Sequence, residues 1–283
     1  MLLALSFNPC EKPVYREGSP PPVNILSAET FLNVAYGDDP KQKIDIYLPA
    51  NRNPDSTKLI FLIHGGGWNG GDKRDVAPYI TELQKRLPGC AFANINYRLF
   101  NLNSGSNKFP AQENDVKTGI EFLAGKSEEY KISQTLVLLG ASAGGHLALL
   151  NGYKENKSNK VKAIVSFFGP SDLIELYNHP AHASIPLLLN ALTGTTPSQN
   201  KVLYQQSSPI HFVTAQSPPT LLLQGGRDVF VSENQSALLK NKLQALGVPH
   251  QYVYYPNEGH GWTGNNLFDS LDKIAAFLLQ HIR

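Results

Sequence analysis

The sequence predicts an α/β protein with a mostly parallel central sheet flanked on both faces by helices. Three observations carry that prediction. Short, nearly continuous apolar runs recur along the chain, as strands covered on both faces require. Helix-forming stretches alternate with these runs, the order that winds a parallel sheet. A length of 283 residues gives one large domain ample chain to bury such a sheet.

Residues 1–28 read as an extended leader containing Pro9, Pro13, Pro20, Pro21 and Pro22. Its start, Met1 to Phe7, is apolar with no positive residue before it, and fits either the trailing end of a clipped export signal or an apolar tail. From residue 29 to 283 the chain reads as one domain. Phe31 to Tyr36 and Lys43 to Leu48 alternate apolar and polar residues around Gly37-Asp38-Asp39-Pro40, the pattern of an antiparallel hairpin. Strands are expected at 58–63, 90–95, 135–139, 161–168, 219–224 and 251–255. Helices are expected at 76–87, 112–123, 146–153, 232–246 and 267–281. The alternation breaks at 171–212, where 173–177, 185–192 and 202–206 look helical and no β segment intervenes. A stretch that long inside a compact domain is usually functional, and it reads as a small helical cap over the sheet edge.

Composition removes several function classes. The formal net charge is +2, and Lys and Arg are scattered without a basic stripe, so nucleic acid is not the expected partner. No apolar run approaches the roughly 20 residues of a membrane span. Cys10 and Cys90 read as two unpaired thiols, because a disulfide would need leader and strand to meet within tight limits. No Cys/His spacing resembles a metal site.

The chemistry concentrates at strand ends, where open α/β sheets place their sites. Gly140-Ala141-Ser142-Ala143-Gly144 follows an apolar strand and precedes a helix. That is the G-x-S-x-G elbow, which lifts a strained serine above the sheet. Its glycines are expected because a side chain two residues either side of the serine would strike the neighbouring strand or helix. Serine chemistry needs a base, a carboxylate to orient the base, and donors for the oxyanion. The base is expected to be His260 in Glu258-Gly259-His260-Gly261, after the last strand. The carboxylate is expected to be Asp228, after the penultimate strand. The order Ser142, Asp228, His260 is that of the elbow hydrolases. His64-Gly65-Gly66-Gly67-Trp68 exposes bare backbone amides, so Gly66, Gly67 and Ala143 are the oxyanion candidates.

These motifs resemble the α/β-hydrolase superfamily, and within it the hormone-sensitive-lipase-like and acetylesterase/feruloyl-esterase-like carboxylesterases (BD-FAE type). Lys43 to Pro49, Asn96-Tyr97-Arg98-Leu99, Pro110-Ala111 with Asp115, and Ser208-Pro209-Ile210 add to the resemblance. It runs from about residue 30 to the C-terminus and departs at Gln224, where many relatives carry histidine. The resemblance implies a serine carboxylesterase for small to medium esters, with acetyl or feruloyl esters of plant polysaccharides among them, working through an acyl-enzyme without metal or cofactor. An arylformamidase or prolyl-oligopeptidase-like amide hydrolase is the second reading, the peptidase form weakened because the chain has no room for an N-terminal propeller. A noncatalytic binding module on a hydrolase scaffold is the third. Trp68, Trp262 and Tyr177, with Leu187, Leu188 and Leu189, are candidates to line a substrate pocket, against the alternative that they are core. Arg98 and Asp115 read as a structural ion pair.

Overall fold

A computed structural model describes residues 26–282. The first 25 residues of the leader, Cys10 among them, lie outside it. In chain order the elements are β1 (Glu29–Ala35), β2 (Lys43–Leu48), β3 (Leu59–Ile63), α1 (Ala77–Arg86), β4 (Ala91–Asn96), α2 (Ala111–Gly125) and α3 (Ser127–Tyr130). They continue with β5 (Leu136–Ala141), α4 (Ala143–Lys154), β6 (Val161–Phe167), α5 (Leu173–Asn178), α6 (Ile185–Thr193) and α7 (Lys201–Gln206). The chain closes with β7 (Thr220–Gly225), α8 (Glu233–Ala245), β8 (His250–Tyr255) and α9 (Gly264–His281).

The eight strands form one sheet in the order β1-β2-β4-β3-β5-β6-β7-β8. β1 and β2 pair antiparallel with each other, β2 pairs antiparallel with β4, and every later pairing is parallel. The expected mostly parallel sheet with a leading hairpin is therefore present. Alternate residues of each inner strand feed two cores. Phe61, Ile63 and Leu138 point to one face, where Val116 of α2, Leu147 of α4 and Leu239 of α8 cover them. Ile60, Leu62, Val137 and Leu139 point to the other, beneath Ile80 and Leu83 of α1 and Leu271 and Ile274 of α9. Apolar area on both faces at once is what the unbroken runs required.

This winding positions the site. β3 and β5 are neighbours, yet the helix after β3 packs on one face and the helix after β5 on the other. This is the switch point of the sheet, and there the glycine loop after β3 packs directly against the elbow after β5, a Cβ on Gly65 meeting the Ala141 carbonyl.

α4 begins at Ala143, three residues before the helix expected from propensity. Gly144 and Gly145 in its first turn are poor helix formers and hide its start. α3 and two 3-10 turns, Lys73–Asp75 and Pro209–Phe212, have no sequence signal of comparable strength. Between β6 and β7, α5, α6 and α7 occupy the 171–212 stretch. They bury Leu173, Leu189, Leu192 and Tyr204 against the core that also covers α4. Among the described residues no helix is long and apolar enough to cross a membrane.

Candidate active site

Ser142 joins β5 to α4 with φ 55° and ψ −123°. A non-glycine residue held there costs on the order of 1–3 kcal/mol and persists only where its surroundings impose it. They do so here. The Ser142 N–H donates to the Phe167 carbonyl at 2.9 Å, and its carbonyl accepts from the His146 N–H at 2.9 Å. A Cβ on Gly140 would collide with the Gly144 carbonyl, and one on Gly144 with the carbonyls of Ile63 and His64. Only glycine fits two residues either side of the serine.

Asp228 and His260 meet because their strands are neighbours and their loops are tied together. β7 pairs with β8, the Gly226 N–H donates to the Tyr255 carbonyl at 2.9 Å, and the Arg227 N–H donates to the Glu258 carbonyl at 2.8 Å. A side chain at Gly225 would strike the Glu258 and Gly259 carbonyls, so the two loops lie backbone against backbone. Asp228 Oδ1 accepts the N–H groups of Phe230 and Val231, both at 2.9 Å. Its Oδ2 lies 2.7 Å from His260 Nδ1, and His260 Nε2 lies 2.9 Å from Ser142 Oγ. The Asp228 side chain is 0% exposed and that of His260 is 20% exposed. A buried carboxylate accepting from Nδ1 leaves Nε2 free to accept the serine proton. Phe168 packs against the imidazole at 4.6 Å between centroids.

The glycine loop runs alongside this group. A Cβ on Gly65 would lie 3.3 Å from the Ser142 Cβ. Gly66 and Gly67 have φ values of 109° and 59°, and the Gly66 carbonyl closes the turn by accepting from Gly70 N–H at 2.8 Å. Ala143 is the first residue of α4, where backbone N–H groups have no partner within the helix. The amide of Ala143 thus directly follows Ser142, and the glycine loop meets the serine at Gly65.

The aromatic residues proposed to line a pocket are placed differently. Trp68 is only 3% exposed and its indole N–H donates to His146 Nδ1 at 3.3 Å. His146 Nε2–H in turn donates to the Ser207 carbonyl at 2.7 Å, and complete burial pushes its pKa down to about 4. Trp262 is 7% exposed, wedged among Phe167, Phe168 and Tyr255, with its N–H on Ser270 Oγ at 2.9 Å. Tyr177 is half-buried and stands edge-on to Tyr204. Both tryptophans pack with a satisfied indole N–H, and Trp262 also lines a cavity with Ala141, Phe167 and Phe168. Leu189 is buried, whereas Leu187 is exposed and the Leu188 side chain lies against Gly67.

Arg98 and Asp115 form the expected ion pair, Nη2 to Oδ1 at 2.6 Å, with Gln42 Nε2 adding a bond to the same carboxylate at 2.8 Å. His64 is buried, stacked on Tyr97, and burial lowers its pKa. Phe168, Phe230 and Gln224 also touch the triad side chains, and sequence reasoning assigned none of them a part in the site. Only Gln224 carried a signal, as the departure from its relatives.

Residues 44–243 match the sequence profile of the BD-FAE family. The chain is 25% identical to Esterase LipC of Mycobacterium tuberculosis, over 93% of this chain and 69% of LipC. It is 30% identical to the kynurenine formamidase of Meyerozyma guilliermondii, over 76% of this chain and 82% of that enzyme. A truncated carbohydrate esterase from gut microbiota superposes with a TM-score of 0.75 at 26% identity, covering 92% of this chain and 98% of the other. The chain spans about half the length of several other curated relatives, 56% of LipM among them. The chain belongs to the BD-FAE family and is an esterase-type α/β-hydrolase.

Proposed function

We propose that the protein is a serine carboxylesterase that cleaves small to medium acyl esters, with acetyl or feruloyl esters of saccharides as its substrates. The observation that carries this reading is the continuous relay from buried Asp228 through His260 to Ser142, with bonds of 2.7 and 2.9 Å. In the first half-reaction Ser142 Oγ bonds to the carbonyl carbon while His260 Nε2 takes its proton. The tetrahedral oxyanion is held by the amides of Gly66, Gly67 and Ala143. His260 then gives the proton to the leaving oxygen as the carbon–oxygen bond breaks. Water repeats the sequence on the acyl-enzyme, releasing the acid and restoring the serine. Asp228 keeps the imidazole in the tautomer with hydrogen on Nδ1 throughout. Trp68 and Trp262 support the walls of the site by packing, and Tyr177 does so within the insertion.

Replacing Ser142 with alanine is expected to lower turnover of short aryl esters by a factor on the order of 10⁴–10⁶ without unfolding the protein. Labelling by a fluorophosphonate at Ser142 in the wild type and not in the variant checks the same point. A folded variant with full activity, or a wild type that resists the probe, would return the protein to the class of noncatalytic modules.

One observation favours a second reading. The formamidase relative is matched over 82% of its length, so an N-formyl amide is the competing bond. Both bonds use the same relay and differ in the leaving group that His260 must protonate. Comparing kcat/KM for a formylated arylamine with that for its acetate ester counterpart separates them.

A further inference from the structure

On the face of the sheet opposite α4, a cavity of about 50 Å³ lies between α1, α9 and the ends of β5 and β6. Tyr79 and Leu83 line it from α1, Leu267 and Leu271 from α9, and Leu139 from β5. Its lining is almost wholly apolar. The cavity also reaches the residues next to the reacting side chains, since Ala141 precedes Ser142 and Gly261 follows His260. Phe168 stands between the cavity and the imidazole, lining the one and packing on the other at 4.6 Å between centroids.

The loop that carries His260 is supported unequally. Toward Asp228 it is tight, because a Cβ on Gly225 would strike the Glu258 and Gly259 carbonyls. At Gly261 it is loose, and a Cβ there would meet nothing within 4 Å. Phe168 is held in the left-handed region at φ 40° by the bond from its N–H to the Leu223 carbonyl at 2.7 Å. A phenylalanine adopts that conformation only under constraint. Its backbone is thus fixed, while its ring has the imidazole on one side and unfilled space on another. Side chains around a void lack the contacts that a guest would supply. Dry apolar cavities take apolar guests, one of about 150 Å³ accepting benzene or xenon, so a cavity of a third that size holds about two to three carbon atoms. Half-buried Tyr79 and Leu267, with exposed Gly261, leave its mouth open for whatever follows them.

We infer that this cavity is a second binding site, that its ligand is a short alkyl group, and that occupancy slows turnover at Ser142 through Phe168 and His260. In each half-reaction the imidazole takes a proton on one side and delivers it on another, so its ring must tilt. Phe168 yields into the unfilled space as the ring does so. A guest fills that space and holds the imidazole where it stands beside Ser142 Oγ, at 2.9 Å. Neither Ser142 nor Gly66, Gly67 or Ala143 lines the cavity, so a guest there leaves substrate binding unchanged.

Xenon is the probe, being apolar, small and unable to take the acyl group as an alcohol would. It is titrated into the protein under pressure and followed by xenon NMR, by the ring-proton resonances of His260, and by turnover of a soluble aryl acetate. A saturable xenon shift is expected, with the His260 ring protons moving along the same curve. At saturation kcat should fall by about fivefold with KM unchanged, the low end of ordinary coupling between two sites. Leu271→Phe, which places a ring in the space, should abolish both shifts and leave kcat unresponsive to xenon. Val76→Ile adds a single methylene to the same wall and should weaken both shifts with the fold intact. No saturable shift in the wild type, or an equal shift in both variants, overturns the site. His260 resonances that stay still at xenon saturation overturn its link to the base, and a rise in KM in place of the fall in kcat assigns xenon to the substrate pocket instead. The turnover response rests on the serine-esterase reading above. Absence of Ser142-dependent turnover overturns that reading, while the two NMR curves still decide the cavity.

Discussion

Two histidines near one end of the sheet show how environment divides one side chain into two occupations. His146, in the first turn after Ser142, is enclosed and held at both nitrogens by neutral partners, the Trp68 indole and the Ser207 carbonyl. Its tautomer is set and burial keeps it neutral. His260 has the opposite surroundings, with a carboxylate on one nitrogen, a hydroxyl on the other and part of its ring open to solvent. A carboxylate on Nδ1 stabilises the imidazolium that proton transfer creates, and solvent access lets water reach the acyl-enzyme. The first histidine joins the glycine loop to the segment after α7. The second moves protons. Burial with neutral partners removes basicity from the first.

The sharpest way to break this contrast is to remove each ring in turn. His260→Ala is expected to lower kcat by a factor on the order of 10⁴–10⁶ while leaving the denaturant midpoint near that of wild type. Asp228→Asn should cost about 10⁴ by stabilising the wrong tautomer. Steady-state turnover beside urea unfolding reads both. Comparable turnover losses in His146→Phe, without a loss of stability, would erase the distinction.

The expected effect of His146→Phe is instead thermodynamic. It keeps the packing against Phe109 but strands the Trp68 N–H and the Ser207 carbonyl, at about 1–3 kcal/mol for each group left unpaired. The pH dependence sharpens the point. The folded pKa of about 4 lies below the unfolded value, so between roughly pH 6.5 and 4 the unfolded chain binds a proton that the native state refuses. Stability therefore falls as pH drops through that window, by up to about 3 kcal/mol from this group. Urea midpoints at pH 7 and pH 4.5 should show the fall in wild type. His146→Gln, which keeps a donor and an acceptor and does not titrate, should flatten it.

The parts of the site legible in the sequence are those whose chemistry requires one residue type at one place. The elbow glycines, the nucleophile, and the acid and base at successive strand ends belong here, because no substitute performs their task. The five inner parallel strands, β3 to β7, were legible because burial on both faces leaves few polar positions to blur the run. The start of α4 was hidden because the glycines that the elbow needs are poor helix formers. Whether Trp68 and Trp262 line a pocket or belong to the core was not legible, because a large aromatic near a site looks alike from sequence whether its N–H faces a ligand or, as here, His146 and Ser270. Phe230 had no pattern at all. Its position follows from the backbone bond to Asp228, which only the folded loop creates.

A smaller effect is expected from the brace behind the acid. Gln224 is fully buried at the end of β7, and its Oε1 accepts from Ser236 Oγ of α8 at 2.8 Å. That bond fixes which way the amide faces, so Nε2 donates to the Gly225 and Val231 carbonyls at 3.1 and 3.2 Å, with Asp228 Oδ2 more distant at 3.5 Å. The amide thus joins the two ends of the loop that carries Asp228. Ser236→Ala frees it to turn, and the loss of one neutral hydrogen bond of about 1 kcal/mol predicts a twofold to fivefold fall in kcat. Gln224→Glu should act differently. A second carboxylate beside Asp228 disfavours its ionised form, and its negative charge favours protonated His260, so the acid limb of the kcat/KM profile moves to higher pH. If Ser236→Ala moves the acid limb as far as Gln224→Glu does, the brace acts through charge at His260, and its role in holding the loop is refuted.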